Sequence, residues 1–298
     1  MSQAELAVAP GPDSELNAQM AQFVTELSVE LGRDSFVLHG YPEVAMRVQR
    51  ALNDDNVSAA LIVRLIGSEP VLASRVLSMA NSAALTSSSG VVTELRTAVA
   101  RMGVDALRSA VMSYALNQLR ASKELAAVAQ PMRELWESSV VVAALCSVIA
   151  RRFAGGNPDS ALLTGVMHGI GKLFVLIKAR KFPLILANAG ARAEIDADWH
   201  VTISRALMKQ WQIPETIAEA VGHYEDYGQS VPQAELNLTG VLFLSTLLAD
   251  NLQCPDRLAA LLATDQGLAR FGLSVDACQS LLTESEQQIA QVMESLGI

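Results

Sequence analysis

Two stretches of this chain use the same device, and it restricts the possible folds severely. In "YPEVAMRVQRALND", Pro42 stands at a first-turn position and Val44, Val48, Ala51 and Leu52 recur at i, i+4, i+7 and i+8 before the polar "NDDN". In "SEPVLASRVLSMANSA", Pro70 and the stripe Leu72, Val76, Met79 and Ala80 repeat the pattern. Proline suits a first turn, where its missing N–H has no helical partner. The stripe is one face of a helix. Stripes this short can be buried only by packing several small helices together. "SAALIVRLIGSEP" adds a third such helix, with Ser58 as its N-cap and an end near Gly67, while Ser68 is placed to cap the next one. "VTELRTAVARMG" and "VDALRSAVMSYALNQL" read as two more, separated by Gly103 and with Asp105 as the second cap. No run of alternating β-branched residues intervenes, so the predicted class is all-α.

Beyond Pro131 the helices lengthen and become more apolar. The spacing predicts them over about 131–153, 159–179, 198–211, 214–227, 235–252, 256–270 and 274–296. Hydrophobic residues are 51% of the 298 and aromatics only 5%, so the interior must be built from Ala, Leu and Val. The organisation read from this is a flexible tail over 1–14, an N-terminal helical subdomain over 15–125, a second over 126–252 and a C-terminal helical extension over 253–298. Within the first subdomain, 15–31 reads as an acidic amphipathic helix ended by Gly32. No Gly or Pro linker occupies 120–130, so the two halves are expected to pack closely. The apolar run Val140–Ala150 is shorter than the roughly 20 residues that cross a bilayer, and Arg151 and Arg152 close it. The first residues lack the basic start and apolar run of a secretion signal, which predicts a cytoplasmic protein without membrane insertion.

The net charge is −9, and its placement is informative. Five acids and no base precede Arg33, and four acids and no base follow Arg270, so the excess lies in the two ends. That argues against a nucleic-acid partner, which requires a concentrated basic surface. The clusters Arg151, Arg152 and Lys178, Arg180, Lys181 read as solvated helix ends. Cys146, Cys254 and Cys278 form no C-x-x-C pair, and Cys146, inside an apolar helix, should be inert. Asn81, at the end of a helix, is expected to cap or tie a turn. Neither a G-x-S-x-G nor a phosphate-binding glycine loop is present.

The segment "LLTGVMHGIGKLFVLI" remains. As one helix it places Leu163, Val166, Met167, Ile170, Leu173, Phe174 and Ile177 on one face and Gly165, Gly169, Lys172 and Leu176 on the other. Glycine costs about 1 kcal/mol against alanine inside a helix, so two of them four apart imply a neighbour packed closely against that face.

Six segments, "YPEVAMRV", "SEPVLASRVLSMANSA", "TAVARMGVDALRS", "GVMHGIGKL", "WQIPETIAEAVGHYE" and "LLAD", follow one another as in the HD-related output domain, HDOD, and the chain resembles that family from about Phe36 to Leu252. The resemblance implies an all-helical, HD-like bundle in two closely packed subdomains, related to metal-dependent phosphohydrolases. Those enzymes hold a divalent metal with a histidine, an adjacent His-Asp pair and a later aspartate. By this resemblance the first histidine position falls near Ser138, the pair on His168 and Gly169, and the late aspartate on Asp250, so two of four ligands persist. His200 and His223 fall where related proteins place accessory histidines, and Lys172 could face an anion in a vestigial pocket. From the residues alone, His168 is a hydrogen-bonded core histidine, Lys172 a snorkelling lysine, His200 a packing residue and His223 the most exposed histidine.

These points lead to the expectation of a non-catalytic module of bacterial signalling that carries no metal or other cofactor. It would act in trans on other signalling proteins, such as receiver or cyclic-dinucleotide-turnover proteins, with its acidic ends as contact points. The alternatives are a residual metal-dependent phosphohydrolase or a (cyclic di)nucleotide-sensing pocket around the same residues and, last, a nucleic-acid-binding regulator.

Overall fold

A computed structural model describes residues 12–33, 36, 38, 40–81, 91–154, 156–227, 236–251, 256, 257, 260 and 275–296. Among them there are helices and no strands. The first half comprises α1 (Pro12–Leu31), α2 (Glu43–Leu52), α3 (Ala59–Gly67), α4 (Pro70–Ala80) and α5 (Leu95–Ala121). The second comprises α6 (Ala129–Ile149), α7 (Pro158–Met167), α8 (Ile170–Ala179), α9 (Pro183–Ala187), α10 (Ala189–Gln210), α11 (Glu215–His223), α12 (Leu238–Asn251) and α13 (Val275–Leu296). One hydrophobic cluster runs from Phe23 in α1 to Leu296 in α13 and draws on both halves.

Local chemistry sets most of the helix ends. Ser58 caps α3 by accepting from the Leu61 amide, Asn157 caps α7 and Asn188 caps α10. Ser68 differs from expectation: it closes α3, donating its hydroxyl to the Leu65 carbonyl, and Glu69 precedes α4. The break inside α5 falls at Gly103, whose φ of 74° and ψ of 174° are open to glycine and costly for other residues. Asp105, expected as a cap just after it, reaches across to Ser160 of α7 and lies 3.9 Å from Arg108. Arg108 bonds in turn to the Leu52 carbonyl and Asn53 at the end of α2 and to the Gln212 carbonyl in the α10–α11 turn. A buried guanidinium thereby ties the two halves together. Asn81 does what its position implied: its amide donates to the Leu77 and Val92 carbonyls, and its oxygen accepts from the Val92 amide at 2.7 Å.

Several boundaries differ from the sequence reading. α1 begins at Pro12, within the expected tail, and α10 begins at Ala189, so His200 lies mid-helix rather than opening one. α6 ends in a π-turn over Ala150–Ala154. The expected helix 256–270 falls largely outside the described residues, as does Cys254.

The acidic N-terminal helix is not a free end. Phe23 and Leu27 are fully buried, and Glu26 and Glu30 reach Nζ of Lys178 at 3.4 and 2.8 Å. Lys178 is itself buried and lies over the Phe23 ring, which corrects its reading as a solvated helix end. Two of the acids expected to meet partners therefore pin α1 to the end of α8.

Candidate functional site

The histidine segment is two helices. α7 ends at Met167, Gly169 adopts φ −87° and ψ 0°, and α8 starts at Ile170. Part of the reason lies at Gly171, whose amide is taken by Ser204 Oγ of α10 at 3.1 Å. Nor does the pair have a polar face: Gly165 and Leu176 are as buried as Leu163 and Phe174. Pro158–Ala179 as a whole is long and apolar enough to cross a bilayer, but most of it lies buried inside the bundle.

Three glycines set how closely the neighbours approach. A Cβ on Gly165 would lie 2.7 Å from the Ala143 nitrogen and closer still to its Cα, so α6 and α7 touch backbone to backbone. One on Gly171 would collide with the His200 carbonyl oxygen and sit 2.6 Å from Ser204 Oγ. One on Gly169 would sit 2.6 Å from Ser139 Oγ and 3.5 Å from Leu135. Where the HD pair has its aspartate, this chain faces a small apolar cavity of about 20 Å³ beside Leu116, Trp136 and Leu173.

On the other side lies a cleft of about 340 Å³. Ser138, His168, Lys172 and Asp250 line it together, so four of the seven residues expected at the site do meet. Its floor is apolar, from Leu135, Val142, Phe243 and Leu247. Three polar residues that the sequence reading does not single out complete the wall, Tyr224, Glu225 and Thr246. Gly169 is not among the residues of this wall, and His223 is exposed and bonded to Arg205 at 2.9 Å. His200 lies buried behind the cleft with Nε2 3.0 Å from Glu225 Oε1. The only sequence signal for Glu225 was its place in "HYEDY"; its pairing with a histidine on another helix could not be read from spacing.

Burial and hydrogen bonding assign the protonation states. His168 Nδ1 is 2.6 Å from the Gly165 carbonyl, which can only accept, so Nδ1 carries the proton and Nε2 keeps its lone pair. Desolvation, reinforced by Lys172 and His200 against the opposing Gly165 bond, pushes the His168 pKa down to about 4. His200 is lowered too, by burial first and then by Lys172, with Glu225 opposing. Neutral His200 donates from Nε2 to the Glu225 carboxylate, which also accepts from the Tyr224 hydroxyl at 2.9 Å. Burial and Glu225 hold the Tyr224 phenol well above its ordinary value. Asp196, on α10, is raised to about 6 by burial, against the pull of Lys172 and Arg192. Cys146 is fully buried and its thiol is pushed up to about 12, consistent with an inert sulfur.

These donors do not fit a transition-metal centre. His168 offers one nitrogen, Asp250 and Glu225 offer a carboxylate each, with Glu225 Oε1 already bonded to His200 and Tyr224, Ser138 supplies only a hydroxyl, and Gly169 supplies nothing. No three His, Cys, Asp or Glu side chains among the described residues are grouped to hold a metal ion. Gly169→Asp should therefore not rebuild the cage. Its carboxylate would enter the contact with Ser139 and Leu135, lowering stability by about 2–4 kcal/mol in urea denaturation, with no gain in manganese uptake by elemental analysis.

Among the described residues the fold is an all-helical bundle, and of the four ligand positions that the sequence resemblance implies, those at Ser138 and Gly169 carry no ligand. The chain belongs to the HDOD family: the HDOD domain matches residues 38–227, more than half of the chain. The match stops before α12, so Asp250 lies outside it, although the sequence resemblance was read as far as Leu252. A Shewanella amazonensis protein whose name assigns it to the metal-dependent phosphohydrolases shares the fold at a TM-score of 0.72 and 24% identity, over 94% of this chain and 99% of that one. A second protein of that organism, named as a phosphohydrolase, gives 0.62 at 21% identity over 94% and 98%. A Geobacter sulfurreducens HDOD protein gives 0.57 at 20% over the same shares. No curated protein matches.

Proposed function

We propose that this protein is a non-catalytic regulatory module of bacterial signal transduction, working in the cytoplasm by binding other signalling proteins in trans. One observation carries the reading: the side of Gly169 that would bear an aspartate is packed against Ser139 and Leu135, so no carboxylate from that position can join His168 and Asp250 in the cleft. A water cannot be acidified without a held ion, and this donor set lacks the ligands to hold one. Receiver and cyclic-dinucleotide-turnover proteins are the partners proposed, and no cofactor is required. The net charge of −9 favours a protein partner over nucleic acid.

The test is hydrolysis of a generic phosphodiester, bis(p-nitrophenyl) phosphate, with manganese present. The expected rate equals that of manganese alone, for wild type and His168→Ala alike. Turnover that requires His168 would overturn the proposal. Removing residues 1–32 is a poor test of partner binding, because it strips Phe23 and Leu27 from the core.

A further inference from the structure

We propose that the cleft receives a basic side chain, arginine or lysine, projecting from a partner polypeptide. This rests on the protein-binding reading above and names the chemistry of one contact. The charges in and behind the cleft are unequal. Among the described residues Lys172 is the one cation lining it, against the two carboxylates of Glu225 and Asp250.

Glu225 is held in a fixed pose. Its Oε1 accepts from both Tyr224 and His200, and Oε2 remains for an incoming donor. His168 adds an acceptor, since its proton sits on Nδ1 against the Gly165 carbonyl and Nε2 is left with a lone pair. In the same cleft, Leu135, Val142 and Phe243 offer apolar surface for the methylenes of a long cationic side chain. Phe243 and Tyr224 add aromatic rings to the lining, a residue type that suits a guanidinium in particular. A phosphate would have to approach the same two carboxylates, and among the described residues its only cationic partner on the wall is Lys172. The cleft that resembles a phosphohydrolase site by descent thus has the charge of a cation receptor.

Asp250 is the residue to change. It is exposed, and none of its side-chain atoms is in a hydrogen bond or ion pair among the described residues, so its replacement should leave the fold intact. The full-length protein is titrated with N-acetyl-arginine methylamide, with N-acetyl-glutamate methylamide and inorganic phosphate as comparators, following the His168 ring protons by NMR. Wild type should bind the arginine probe with millimolar affinity and show no response to the other two. Asp250→Lys, which turns one attraction into a repulsion, should weaken the arginine probe about tenfold at low salt, and Asp250→Asn should weaken it less. Absence of a response to the arginine probe, an equal response in Asp250→Lys, or a stronger response to phosphate would overturn the inference. The phosphodiester assay is independent of these outcomes, so failure here leaves the non-catalytic reading standing or falling on its own result.

Discussion

Gly165→Ala is expected to lower stability by about 3 kcal/mol or more, although alanine is the better helix former. Two effects of opposite sign meet at this position. Helical propensity favours the substitution by about 1 kcal/mol. Against it, the added Cβ would lie 2.7 Å from the Ala143 nitrogen and nearer to Cα, and both are backbone atoms that cannot turn aside. α6 and α7 would have to separate, and α7 is also packed on α5, α11 and α12. Overpacking of a close contact costs about 1–3 kcal/mol where side chains can adjust, and here they cannot, so the clash outweighs the propensity. Gly156→Ala, where a Cβ meets nothing within 4 Å, serves as the control and should stay within about 0.5 kcal/mol of wild type. Urea denaturation followed by circular dichroism measures both. A gain in stability for Gly165→Ala would mean that α6 and α7 do not approach this closely.

Acid should destabilise the fold through His168. The unfolded chain takes up this proton near pH 6.5 and the folded protein only near pH 4, so between those values the unfolded state holds more protons and stability falls as pH falls. The contribution is complete above pH 6.5. Because the side chain is partly solvated, we expect about 1–3 kcal/mol to be lost on reaching pH 4. His200 acts in the same direction. Asp196 opposes both: its folded carboxyl keeps a proton up to about pH 6 while the unfolded one releases it near 3.8, so acidification stabilises through that group. The wild-type profile sums these contributions, and His168→Gln separates them. The Gln amide can still donate to the Gly165 carbonyl but does not titrate. Stability of wild type relative to His168→Gln, measured by urea denaturation from pH 7 to pH 4.5, should decline steadily with acidification. Parallel profiles would show that His168 titrates alike in both states.

The parts of this molecule that were legible in its sequence are those governed by neighbours along the chain. Ser58 as a cap, the break at Gly103 and the tie at Asn81 each depend on a handful of residues, and each is found. Gly165 and Gly169, four apart, announced a close neighbour before its identity was known, and the neighbour is α6. What spacing could not supply is pairing at a distance. Lys178 looked like one of several cations at a helix end, yet its partners are Glu26 and Glu30, about 150 positions earlier. The acidic N-terminus reads in sequence as a contact surface, and in the structure it is partly a clamp. Glu225 was passed over in favour of His223 beside it, because histidine is the residue type that attracts attention near a metal site. The structure reverses their importance: His223 is outside the cleft, and Glu225 is at its wall, held by His200 and Tyr224. The second half of α10 was read correctly, but its first half, polar and rich in alanine, lacked a stripe to reveal it.

The central claim is that His168 and Asp250 do not hold a transition metal. The direct measurement is the metal content of protein purified from its native cells, by elemental analysis beside a His168→Ala variant. We predict manganese, iron and zinc well below one equivalent in both. A full equivalent of one of these metals in the wild type, lost when His168 is replaced, would contradict the account.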